Sequence, residues 1–195
     1  MAPGRAGGTA KGERRRAELA RAAADLVREE GPAALSHRAV AARAGVSLSA
    51  TTYYFAGLDD LAAAAGAALV DDWVAHAEGV LTRVRAGAAL VGDPAAVLVE
   101  AVLPPGDDAA VRAHYEQLLA AGRVPALAAA LGDGRARLDA VLTTLLAELR
   151  LPVPAAVAIG VVDGAVVAAV SEGRRLRRTA RDLLLAVLAT AQPLR

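Results

Sequence analysis

Three histidines, His37, His76 and His114, are the side chains best able to do bond-making or metal chemistry, and their setting argues against both. None has a partner at clear metal-ligand spacing, the chain has no cysteine, and no glycine-rich phosphate loop follows a strand. Asp71, Asp72, His76 and Glu78 crowd one helix but read as a solvated face. No catalytic residue, metal ligand or cofactor is expected. A different chemistry is legible between Leu35 and Phe55, in the run LSHRAVAARAGVSLSATTYYF. Ser49 and Thr52 can each donate or accept a hydrogen bond at a base edge, and Leu48 offers apolar contact, such as to a thymine methyl. Ser36, His37, Arg38, Ser47, Tyr53 and Tyr54 supply hydroxyls, a ring nitrogen and a cation suited to phosphate oxygens, with Arg5 and Lys11 reaching beside the helix or into a minor groove.

Such contacts require the residues to be held on two short helices. Ser36 is a good N-cap, and Val40, Ala41 and Ala44 then recur at helical spacing. Gly45 can stop that helix in a left-handed conformation, Val46 can plug the angle, and Ser47 caps a second helix ending near Tyr54. Helix, short glycine-containing turn and helix is the layout of a DNA-binding helix-turn-helix. Tyr54 and Phe55 can also be read as core aromatics.

Net charge over the whole chain is only +1, but it is unevenly placed. Residues 1–56 hold nine Lys/Arg against five Asp/Glu, net +4, while residues 57–195 hold thirteen against sixteen, net −3. The basic excess sits with the helix-turn-helix, as a phosphate-binding head needs. The arginines of Arg14-Arg15-Arg16 read equally as a solvated face or as part of that surface. Without cysteine there is no disulfide framework, which fits a cytoplasmic protein. No apolar run follows Arg5 and Lys11, so neither a secretory signal nor an anchor is expected. The most apolar stretch, Leu151 to Val170, is interrupted by Asp163, at a cost of roughly 2.5–3.5 kcal/mol in a bilayer, and reads as a buried helix rather than a span. No membrane partner is expected.

Apolar residues at helical spacing organise the remainder. Residues 1–10 read as a flexible arm, 11–56 as the head and 57–195 as a helical body. Helices are expected at 11–30, from Gly57 to near Gly87, 93–103, 107–121, 125–131, 133–149, 154–173 and 179–191, the last two separated by the basic run Arg174, Arg175, Arg177 and Arg178. No stretch alternates with period two, so the fold class is all-α, with about nine or ten helices.

Gly45-Val46-Ser47, then Tyr53-Tyr54-Phe55, then Asp59-Asp60-Leu61 resembles the signature of TetR-family transcriptional regulators, over roughly residues 12–61. The resemblance implies a three-helix head, with Ser47–Tyr54 as recognition helix and a connector helix from Gly57, followed by a larger ligand-binding and dimerisation body. Three positions depart from the family pattern. Thr51-Thr52 stands where a leucine-tyrosine pair is common, and Leu58 where a lysine often opens the connector helix.

One head contacts few bases, and dimers solve this by binding half-sites about 34–36 Å apart on a palindromic or near-palindromic operator in double-stranded DNA. Gly160, Gly164 and Ala168 leave a low ridge that another helix can approach, and Leu183, Leu184, Val187 and Leu188 give the last helix an apolar face, so these seven are the candidate homodimer interface. By resemblance the body also holds an unknown small-molecule effector, with Trp73, His76, His114 and Tyr115 as candidate contacts, though each taken alone reads first as a packed core residue. The function expected is a repressor released from its operator when the ligand moves the connector helix. The alternative is a helical protein-interaction or ligand-binding protein whose helix-turn-helix is purely structural.

Overall fold

A computed structural model describes residues 10–87 and 93–191 of the chain. Arg5 lies outside the described residues. Among them are nine α-helices and no strand: α1 (Ala10–Glu30), α2 (His37–Ala44), α3 (Leu48–Tyr54), α4 (Leu58–Arg85), α5 (Pro94–Val102), α6 (Asp108–Ala121), α7 (Pro125–Glu148), α8 (Ala155–Glu172) and α9 (Leu176–Ala191), with one 3-10 turn at Pro32–Ala34. The chain divides into two compact units, one comprising Met1–Leu69 with Ala120–Leu131, the other Val70–Leu119 with Gly132–Arg195. Both α4 and α7 cross the division.

In the first unit, capping chemistry sets the helix ends. Ser36 Oγ accepts from the Ala39 amide at 3.1 Å and Ser47 Oγ from the Ala50 amide at 3.3 Å, so each short helix has an orphan donor satisfied. Gly45 ends α2 at φ 65°, a conformation that costs other residues energy, and the Val46 amide reaches back to the Ala41 carbonyl at 2.9 Å. Leu19, Ala23, Leu26 and Val27 of α1, Val40 and Ala41 of α2, Phe55, and Leu61 and Ala65 of α4 are all buried. Thr51 is fully buried with them, and its hydroxyl donates to the Leu48 carbonyl at 2.8 Å. It therefore occupies a core position while meeting its own polar requirement.

The second unit is built around Leu98, Leu103, Leu142, Leu145, Val162, Leu176 and Leu184, contributed by α5, α7, α8, α9 and the turn after α5. Asp163 is not left bare within the apolar α8: the Tyr115 hydroxyl donates to it at 2.7 Å. By length and composition α8 could cross a membrane, yet Ala155, Ile159, Val162, Val166 and Ala169 pack into this core.

Two expected boundaries are corrected. The helices expected at 125–131 and 133–149 are one helix, α7. Gly132 and Gly134 each weaken a helix by about 1 kcal/mol relative to alanine, but Gly134 stands so close to Val70 that an added Cβ would lie 2.5 Å from its methyl carbons. This glycine permits close helix approach instead of marking a break. The last helix starts at Leu176, not Thr179. Its first turn is fixed from outside, because Asp108 accepts from the Leu176 amide at 3.0 Å and Arg177 donates to the Gly106 carbonyl at 3.0 Å. The basic run thus belongs partly to the helix and partly to the turn before it.

Candidate functional site

The face of α3 turned away from the first unit's core carries the expected reading residues. Tyr53 is 82% exposed and Leu48 46% exposed, while Ser47, Ser49 and Thr52 are also exposed. Ser47 and Ser49 hydroxyls lie 2.9 Å apart, and the Thr52 hydroxyl donates to the Ser49 carbonyl at 3.2 Å. These weak local bonds leave the oxygens free to accept from an external donor. Tyr54 is half-buried, with its ring edge-on to Tyr53 at 5.0 Å. Ser36 and Arg38 are exposed at the start of α2, and Arg38 has no ion-pair partner among the described residues. His37 is turned partly inward, its Nδ1 buried without a hydrogen-bond partner. Lys11 is exposed on α1.

The arginines of α1 and α2 do not behave alike. Arg43 is engaged by Glu29 at 2.8 Å and Glu30 at 2.9 Å, and the Glu29 hydrogen bond is the main reason its guanidinium pKa is raised. Arg15 pairs with Glu18 at 2.7 Å. Arg16 lies over the Phe55 ring at 4.6 Å and pairs with Asp60 at 2.7 Å.

In the second unit the candidate effector residues are only partly brought together. Trp73 and His114 meet edge-to-face at 5.4 Å, and His114 and Tyr115 at 5.5 Å, a row of three rings. His76 is bonded elsewhere, its Nε2 2.8 Å from the Glu100 carbonyl on α5. Tyr115 is buried, and burial, then the Asp163 charge and hydrogen bond, pushes its phenol pKa far up. Asp163 is legible in the sequence only as a charge in an apolar helix; the buried tyrosine hydroxyl it serves lies 48 residues away. A separate cleft of about 690 Å³, at the α8–α9 turn, is lined by Gly164, Ala168, Arg174, Arg178, Asp182 and Leu183 among others, and by none of the four effector candidates.

The expected self-association face is corrected in part. Gly160 and Gly164 are exposed, with open space where a Cβ would stand, Ala168 and Val187 are half-buried, and Leu183 is 45% exposed. Leu184 and Leu188, however, are buried in the second unit's own core. The reason is the four-residue stripe Leu176, Ala180, Leu184, Leu188, which faces inward on α9 and leaves Leu183 and Ala186 on the other side. Val157 and Val167 of α8 are exposed as well.

Residues 19–67, which contain this helix-turn-helix, match the description "Bacterial regulatory proteins, tetR family", and residues 86–190 match "Tetracyclin repressor-like, C-terminal domain". The chain belongs to the TetR family. TetR-family membership makes it a DNA-binding transcriptional regulator of all-α fold. Among solved structures it is similar to the multidrug binding protein EbrR complexed with imidazole, at 32% identity over 93% of this chain and 96% of that one, TM-score 0.62. EbrR complexed with ethidium matches at 30% identity over 92% and 99%, TM-score 0.61, and EbrR has also been solved with proflavin and malachite green. The TetR-family member SCO1917 from Streptomyces coelicolor A3 matches at 32% identity over 92% and 99%, TM-score 0.53. No curated protein matches the chain significantly in sequence.

Proposed function

We propose that this TetR-family regulator is a cytoplasmic homodimeric repressor that leaves its operator when an aromatic cation binds its C-terminal domain. The observation that carries the DNA part is the outward face of α3, where Leu48, Ser49 and Thr52 are exposed; in this reading they contact base edges. Ser36, His37, Arg38, Ser47, Tyr53 and Tyr54 hold the backbone around them. An 82% exposed tyrosine on a seven-residue helix has little structural purpose, which favours this reading over a purely structural helix-turn-helix.

Dimerisation in this reading uses Gly160, Gly164, Ala168, Leu183 and Val187, with Val157 and Val167 beside them. Gly160 and Gly164 let a partner helix come close, and the flanking valines and leucine supply apolar area.

Ethidium, proflavin and malachite green, three of the ligands with which EbrR has been solved, are all aromatic cations. A row of rings, Trp73, His114 and Tyr115, ending at the Asp163 carboxylate is chemistry that suits such a ligand by stacking and charge. His76 contributes indirectly by fixing α4 to α5. Ethidium or proflavin should bind the free protein, and should release the operator from the wild type at a lower dye concentration than from Trp73→Ala, a difference that the dyes' own intercalation into DNA cannot produce. Dye binding that leaves the complex intact would overturn the release mechanism, and no dye binding would overturn the ligand class.

A further inference from the structure

Arg16 belongs to α1, yet its guanidinium engages two other elements. It lies 4.6 Å above the ring of Phe55, the buried residue that caps the C-terminal end of α3, and it pairs at 2.7 Å with Asp60 in the first turn of α4. The second Asp60 oxygen accepts from the Ala56 amide at 3.2 Å, in the short link between α3 and α4. Asp60 is also favoured there by the positive end of the α4 dipole. One cation and one carboxylate therefore close a loop through the end of the recognition helix, the link and the start of the connector helix. A planar guanidinium can stack on a ring and bond a carboxylate at once, which a lysine ammonium cannot.

We propose that Arg16 is a positioning residue for DNA recognition: it clamps the α3–α4 junction through Phe55 and Asp60, and is not itself a phosphate contact. This inference rests on the DNA-binding reading above. Its chemistry separates it sharply from the ordinary role of a basic residue on a DNA-binding head. An arginine on phosphate releases counterions, and its loss lowers the slope of log K against log[salt] by about 0.9. A clamp acts on the shape of the reading surface and leaves that slope alone. The carboxylate is more telling still. Asp60 removal takes a negative charge from the head, which by field alone tightens DNA binding, whereas loss of a clamp weakens it.

The test uses the full-length protein with its selected operator, and the variants Arg16→Ala, Arg16→Lys and Asp60→Ala, each checked by thermal melting. Arg16→Ala and Asp60→Ala should each weaken operator binding roughly 5- to 30-fold with unchanged salt slope. Arg16→Lys should also weaken it although the charge is kept, and the Arg16→Ala/Asp60→Ala double variant should be no weaker than the worse single one, since both break the same clamp. A reduced salt slope for Arg16→Ala, or tighter binding by Asp60→Ala, overturns the proposal. Amide exchange in the free protein reads the clamp without DNA: the Phe55 and Ala56 amides should exchange faster in both alanine variants. Unchanged exchange there overturns the clamp even if the DNA reading stands, while a wild-type protein that prefers no DNA sequence overturns the DNA reading and leaves the exchange result to judge the clamp.

Discussion

Tyr115 and Asp163 carry the main pH consequence of the second unit. Burial, then the neighbouring carboxylate, raises the phenol pKa in the folded chain above the unfolded value near 10. A raised folded pKa means that the unfolded chain loses this proton first as pH rises, so the pair's contribution is fully present below about pH 10 and is lost above it. Tyr115→Phe should lower stability at neutral pH by about 1.5–3 kcal/mol, since a carboxylate loses its donor, and should lose less further stability than the wild type between about pH 9 and 11. Denaturant melts across that range check both parts; parallel curves for the two proteins would contradict the assignment. At this same scale the candidate residues are legible by type and not by partner. Thr51 departs from a family contact, and the structure shows why it is tolerated: the hydroxyl bonds back to Leu48, so a polar residue sits in the core without an unmet group. Arg16 reads in sequence as one of three similar arginines, and nothing in a run of like charges says that one of them meets Phe55 and Asp60, 39 and 44 positions further on.

Helix ends are readable where capping is local. Ser36, Gly45, Ser47 and Asp93 each act within a few residues, and each bounds its helix as expected. The two misplaced ends depend instead on distant partners, Val70 beside Gly134 and Asp108 beside Leu176. Helix propensity alone favours alanine over glycine at position 134 by about 1 kcal/mol, while the crowding at Val70 opposes it by roughly 1–3 kcal/mol. Gly134→Ala should therefore destabilise the protein, measured by urea melts. A stabilised variant would show that α7 does not depend on that close approach.

For the molecule as a whole, the all-α class follows from periodicity, whereas the grouping of Ala120–Leu131 with Met1–Leu69 in one compact unit does not follow from a head at 11–56 and a body at 57–195. The division of α9 into two sides does not follow from periodicity either. Leucines at consecutive positions 183, 184 and 185 look alike in sequence, and only packing against α5 and α8 tells which is core. Leu184→Ala should cost about 2–5 kcal/mol of stability, and Leu183→Glu should cost far less while raising the dimer dissociation constant. Sedimentation with thermal melting separates these effects. A Leu183→Glu protein that stays as dimeric as the wild type would remove α9 from the proposed interface.

Selection of bound sequences from a random double-stranded DNA pool is the sharpest test of whether the outward face of α3 reads DNA. Sequence reading by α3 requires enrichment of a near-palindrome whose half-sites lie about 34–36 Å apart or a multiple of that, with altered base preference in Ser49 and Thr52 variants and binding that weakens steeply with salt. A pool that emerges with no preferred sequence, or a preference unchanged when both Ser49 and Thr52 are replaced, would contradict it.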